Sequence, residues 1–270
     1  GVLTASVMDL HRLTAGRSDR LAAGGLDLTA GGGGVRNVLD EMDFSALDRA
    51  TEDPGLLELD RYFSGLAGTG KNEYTGLFQG YNLIVVCAEA FSPYVIDPEL
   101  TPTLYKMSRE GIVFENFYNS FPSLTTDGEY GLCMGLMPDA SRISFAASMD
   151  NYVPFCLGHV FADRHPYAYH NNISTFYNRI NTHSNMGYDF KAIGFGLEME
   201  PGDPASDREM MEKSVDDYIH SEPFHAYYMT FSGHAYYSFA GNDMSRKNQE
   251  RVAHLTGSEG VLAYRACQLE

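Results

Sequence analysis

Basic residues are scarce. The 270-residue chain carries 19 Lys and Arg against 36 Asp and Glu, a net charge of −17. Phosphate binding wants a basic face, so nucleic acid is excluded as a partner. The same balance opposes tight docking of the domain itself on an anionic membrane surface. Long apolar runs are missing too, so no transmembrane helix lies within the chain. The opening GVLTASVMDLHRL is too polar for a signal peptide and has no cleavage pattern. It begins without Met, which points to a piece of a longer protein. The four cysteines, Cys87, Cys133, Cys156 and Cys267, form no C-x-x-C pair. Neither a zinc knuckle nor a thioredoxin motif is therefore indicated. Cys87 and Cys133 stand in apolar sequence and are expected as small buried hydrophobes.

What is present supports a sizeable core: 44% hydrophobic residues, with 18 Tyr and 16 Phe. The length suits one large domain, or a domain with an appendage. Residues 1–79 read as a linker with short helices. GRSDRLAAGGLDLTAGGGGV is glycine-rich and without periodicity. Its glycines make no phosphate loop, because no Lys-Ser/Thr follows them and no apolar strand precedes them. Further on, Leu56, Leu59 and Phe63 form one apolar stripe at helical spacing.

From residue 80 the pattern changes. YNLIVVCAEAF contains a continuous apolar run, Leu83 to Val86, typical of a strand buried on both faces. TPTLYKMSREG predicts a helix with a Thr cap, an early Pro and a Gly stop. GIVFENFYN (111–119) predicts another strand. HPYAYHNN and FHAYYMTFSGH predict strands that end in polar turns, and SEGVLAYRACQLE predicts a closing helix. Alternating strands and helices imply an α/β domain with a mainly parallel sheet flanked by helices.

Ligands bind beyond the carboxyl ends of strands in such sheets. Three predicted strands end in chemically capable residues: Glu89, His170 followed by two Asn, and Ser232-Gly233-His234. In FPSLTTDGEYGL, Thr126 and Glu129 have capping-box spacing. That leaves Thr125 free at a helix N-terminus, where unpaired N–H groups favour an anion. Each residue has a plainer reading: a solvated strand end for Glu89, hydrogen-bonded turns for the two histidines, and a surface position for an arginine such as Arg179.

Four stretches together carry a resemblance: NEYTGLFQGYNLIVVCAEAFSPYVIDPELTPTLYKMSREG, LTTDGEYG, YHNNISTFYNRINTHSNMGYD and YYMTFSGHAYYSFAGNDMS. The chain resembles the extracellular domain of lipoteichoic acid synthase-like proteins, sulfatase-like phosphoglycerol transferases of Gram-positive bacteria. The similarity runs from about residue 35 to 270 and is clearest from residue 72. The resemblance implies an alkaline phosphatase/sulfatase-like fold, incomplete at its C-terminus, with 80–270 as the N-terminal two-thirds of the transferase domain. It implies a membrane anchor ahead of this chain and an extracellular catalytic domain.

By the same resemblance, Thr125 is the nucleophile. It forms a phosphoglycerol-threonine intermediate from phosphatidylglycerol, then passes glycerophosphate to an envelope polymer. Glu89 and Thr125 ligate a divalent metal, Mn²⁺ first, with Mg²⁺ or Zn²⁺ as alternatives. His170, Tyr177, Arg179 and His234 fall on substrate-binding positions, Arg179 suiting a bidentate phosphate contact. Tyr177 either stacks on substrate or packs. The family's Asp-His metal ligands have no counterpart, since no Asp-His dipeptide occurs. Alternative readings are a phosphoethanolamine transferase or phosphoester hydrolase on the same scaffold, or a binding domain that does no chemistry. The C/S-x-P-x-R pattern of sulfatases is absent at Leu124–Glu129, which disfavours sulfate esters.

Overall fold

The computed structural model describes residues 3–7, 35–37, 42–117, 125–139, 144–221 and 223–270. Most of the glycine-rich stretch, residues 121–124 and the side chain of Thr126 lie outside these, and with them the cap assigned to Thr126. The chain divides into two compact units, one of residues 11–80 and one joining 1–10 to 81–270.

In the smaller unit, α1 (Phe44–Ala50) and α2 (Pro54–Ser64) are opened by Asp43 and Asp53, whose carboxylates accept first-turn N–H groups. Asp48 and Arg61 join the two helices in an ion pair at 2.7 Å. The expected stripe on α2 does form, but Leu56, Leu59 and Phe63 are exposed.

The larger unit is built on a six-stranded sheet. Its strands are β1 (Leu3–Val7), β2 (Leu83–Ala88), β3 (Tyr167–Ile173), β4 (Asp189–Ile193), β5 (Gly196–Leu197) and β6 (His225–Met229). The order is β1-β2-β6-β3-β4-β5. Five strands run parallel; β1, in a segment read from sequence as linker, pairs antiparallel with β2. The expected α/β, mainly parallel architecture is therefore the one observed.

The apolar runs of β2 and β6 follow from burial on both faces. Tyr227 and Met229 enter one core with Val85, Cys87, Ala168 and Phe190. Ala226 and Tyr228 enter the other with Tyr169, Met210 and Phe224. The first core is covered by α4 (Thr125–Met134) through Cys133 and Met134. α6 (Asp207–Ser214) covers the second through Met210. α3 (Pro102–Glu110) and α7 (Glu259–Cys267) lie where the sequence predicts helices, and α5 (Arg179–Asn185) follows β3. All four cysteines are buried and free, and burial pushes their thiols far above the ordinary range.

Two local expectations need correction. The segment Gly111–Phe117 is not a strand: Ile112, Val113, Phe114 and Phe117 are exposed, so its apolar residues line no sheet face; Tyr118 and Asn119 lie outside the described residues. Thr101 stands at the N-cap of α3, but its hydroxyl donates to the Val95 carbonyl at 2.5 Å instead of capping the helix.

Candidate active site

Register aligns the ends of β2 and β6 beside His170 of β3, a strand that runs on to Ile173. Cys87 of β2 and His170 of β3 both pair with Met229 of β6. Just past that line, the Glu89 N–H donates to the Thr230 hydroxyl at 2.8 Å. The Thr230 N–H in turn donates to the Cys87 carbonyl at 3.1 Å. This lacing continues the β2–β6 ladder by one step and fixes where the Glu89 side chain starts. Gly233 lies close by: a Cβ there would stand 2.5 Å from the Glu89 carbonyl oxygen. The loop after β6 can therefore lie against Glu89 only because residue 233 has no side chain.

Thr125 is the first residue of α4. Its hydroxyl donates to Glu89 Oε2 at 2.9 Å. A hydroxyl thus meets a carboxylate at a helix N-terminus, beside the carboxyl end of the central strands. Such a carboxylate can receive the hydroxyl proton, and the first-turn N–H groups can stabilise an anion next to it.

Glu129, one turn further along α4, does not turn back to cap the helix. It is fully buried and accepts from Arg179 Nε at 3.0 Å, Arg179 Nη2 at 2.6 Å and the Tyr227 hydroxyl at 3.1 Å. A two-pronged guanidinium contact is stronger than a bond to one neutral N–H, and a buried carboxylate needs a charged partner. His183 Nε2 lies 3.6 Å from the same carboxylate. Burial lowers the His183 pKa to about 4, so its imidazole is neutral near pH 7.

Arg179 is accordingly buried, with its Nε–Nη2 edge occupied by Glu129. Tyr177 and Asn178, just before it, hold left-handed backbone (φ 54° and 59°), strained for residues with side chains. The Arg179 guanidinium lies 5.3 Å from the centre of the Tyr177 ring, a cation–π contact.

His170 is buried, and its Nδ1 sits 3.0 Å from the Met229 carbonyl, which places the proton on Nδ1. Its Nε2 is buried without a hydrogen-bond partner. Burial, reinforced by the charge of Arg179, holds its pKa well below the usual histidine value. His234 is exposed, on the loop after β6. Phe231 lies between the two imidazoles, its ring 6.1 Å from that of His170 and 5.2 Å from that of His234.

Among the described residues, no group of three His, Cys, Asp or Glu side chains is placed to hold a metal ion. Glu89 and Thr125 offer two adjacent oxygens, the right chemistry for a hard divalent ion but not a complete shell.

Sequence reading missed Thr230, Tyr227, His183 and Asp207. Nothing local marks Thr230, Tyr227 or His183: each acts through a partner distant in the chain. Asp207 gave one usable signal, since Ser206 and Glu209 bracket it at a helix start, and the Ser206 hydroxyl does accept the Glu209 N–H at 3.1 Å.

No family model matches the chain, and no curated protein matches it. Among solved structures, it is similar to the lipoteichoic acid synthase LtaP from Listeria monocytogenes, with a TM-score of 0.61 at 22% identity. The match covers 73% of this chain and 52% of that one, so the chain spans about half the length of LtaP. The α/β fold with a mainly parallel sheet, expected from the sequence, is the fold shared with that structure. The likeness is one of architecture: the parallel sheet and its flanking helices. Among the described residues, no helix is long and apolar enough to cross a membrane.

Proposed function

We propose that the chain is part of an extracellular, membrane-anchored phosphoglycerol transferase with Thr125 as its nucleophile. The observation that carries this reading is the 2.9 Å hydrogen bond from the Thr125 hydroxyl to Glu89 at the start of α4. Thr125 Oγ attacks the phosphorus of phosphatidylglycerol. The bond from phosphorus to the diacylglycerol oxygen breaks, and the hydroxyl proton passes through Glu89 to that oxygen. A hydroxyl of an envelope polymer then attacks the same phosphorus, the bond from phosphorus to Thr125 Oγ breaks, and the acceptor's proton returns through Glu89 to Thr125.

The first-turn N–H groups of α4 face the developing phosphoryl charge. His170, Tyr177, Arg179 and His234 form the head-group side of the site. Arg179 brings positive charge to that side, its Nε–Nη2 edge holding Glu129 and its Nη1 donating to the Phe176 carbonyl at 3.4 Å. A divalent ion, Mn²⁺ foremost and Mg²⁺ or Zn²⁺ as alternatives, belongs to this reading, and Glu89 and Thr125 would supply two of its oxygens. When bound it would add positive charge at the phosphoryl oxygens. The described residues do not complete its shell.

The test is diacylglycerol release from phosphatidylglycerol micelles with Mn²⁺ present. Release is expected from the wild type, falling at least about 100-fold in Thr125→Ala. Release from phosphatidylethanolamine instead would move the assignment to phosphoethanolamine transfer. Equal release by wild type and Thr125→Ala would overturn the nucleophile.

A further inference from the structure

The Asp207 carboxylate is buried at the first residue of α6 and accepts hydrogen bonds from two other segments. Asn171 Nδ2 donates to it at 2.8 Å from the end of β3. The N–H groups of Phe231 and Ser232 donate at 2.7 and 3.1 Å from the loop after β6. The Ser232 hydroxyl adds a further bond to its second oxygen. Three of the four donors converge on Oδ1, and the Ser232 hydroxyl alone meets Oδ2.

The partners are informative. Asn171 directly follows His170, and Ser232 stands two residues before His234. Phe231, whose N–H is also held, has its ring between the two imidazoles. Independently, His170 Nε2 is a buried polar atom with no partner. Such an atom is costly to leave unpaired, and it fits a donor brought in by a ligand.

We infer that Asp207 is a positioning residue for the head-group site: it fixes the spacing of His170 and His234, through Asn171 on one side and Phe231-Ser232 on the other. The inference rests on the reading that this sheet edge binds a glycerophosphate. Asp207 touches no substrate in this assignment. It sets where the hydroxyl and phosphate of the head group meet the two imidazoles.

The experiment titrates glycerol phosphate into the imidazole-labelled protein and follows the His170 and His234 nitrogen resonances, assigned with His170→Gln and His234→Gln. Asp207→Ala, which removes both acceptor oxygens, is expected to shift both resonances before ligand is added and to weaken glycerol phosphate binding by roughly tenfold or more. Ser232→Ala, which keeps the carboxylate and drops one donor, is expected to weaken it less and decides the matter if Asp207→Ala does not fold. Wild-type resonances and affinity in the Asp207→Ala protein, or in Ser232→Ala where that variant decides, would overturn the inference. If glycerol phosphate fails to bind the wild type, the functional reading fails separately. The ligand-free resonances then decide on Asp207: shifted signals support its positioning role, and unshifted signals overturn it.

Discussion

Glu129 and Arg179 are buried opposite charges, and neither is stable there alone. Their pairing anchors α4 one turn below Thr125 and ties it to the strained Tyr177-Asn178 turn. Removing one charge strands the other in a medium that solvates it poorly. Glu129→Gln is therefore expected to lose about 3–5 kcal/mol of stability, measured by urea denaturation. The paired apolar replacement Glu129→Leu with Arg179→Met should recover much of that loss, and a loss below about 1 kcal/mol in Glu129→Gln would contradict the buried pair. The pair also marks a limit of sequence reading at this scale. Glu89 and Thr125 were legible because an apolar run and a helix start end on them. The partner of Glu129 was not, because Arg179 lies 50 residues away and only folding brings the two together.

At the scale of elements, the site depends on the exits of β2 and β6 lying against each other. Gly233 makes that possible, since a Cβ there would meet the Glu89 carbonyl at 2.5 Å. Gly233→Ala must push the two exits apart. The expected cost is about 1–3 kcal/mol of stability, with a larger proportional loss of diacylglycerol release, since Glu89 moves with its backbone. Unchanged thermal unfolding and unchanged release would show that the two exits do not meet in this way. β2, β3 and β6 were readable as strands because burial on both faces demands unbroken apolar residues. β4 and β5 were missed because they are short, five and two residues. Residues 111–117 misled for the opposite reason: local composition favours a strand, but a strand also needs a neighbour, which sequence does not display.

For the whole molecule, the −17 charge and the buried histidines set the response to pH. His183 and His225 are both lowered to about 4, chiefly by burial, from an ordinary value of 6.5. Both stay neutral in the folded state while the unfolded chain takes up protons. Stability is therefore lost as pH falls through the window from 6.5 to about 4. The thermal midpoint should drop steadily across that window. His225→Gln should flatten the slope, because it removes one of three buried neutral imidazoles, His170 being the third; a slope equal to that of the wild type would contradict the assignment.

Beyond stability, the central claim concerns Thr125, and peptide mapping by mass spectrometry after incubation with phosphatidylglycerol and Mn²⁺ tests it most directly. A glycerophosphoryl group is expected on the peptide containing Thr125, absent in Thr125→Ala and strongly reduced in Glu89→Gln. Diacylglycerol release with no such adduct, or an adduct that persists in Thr125→Ala, would mean that the hydroxyl held by Glu89 is not the nucleophile.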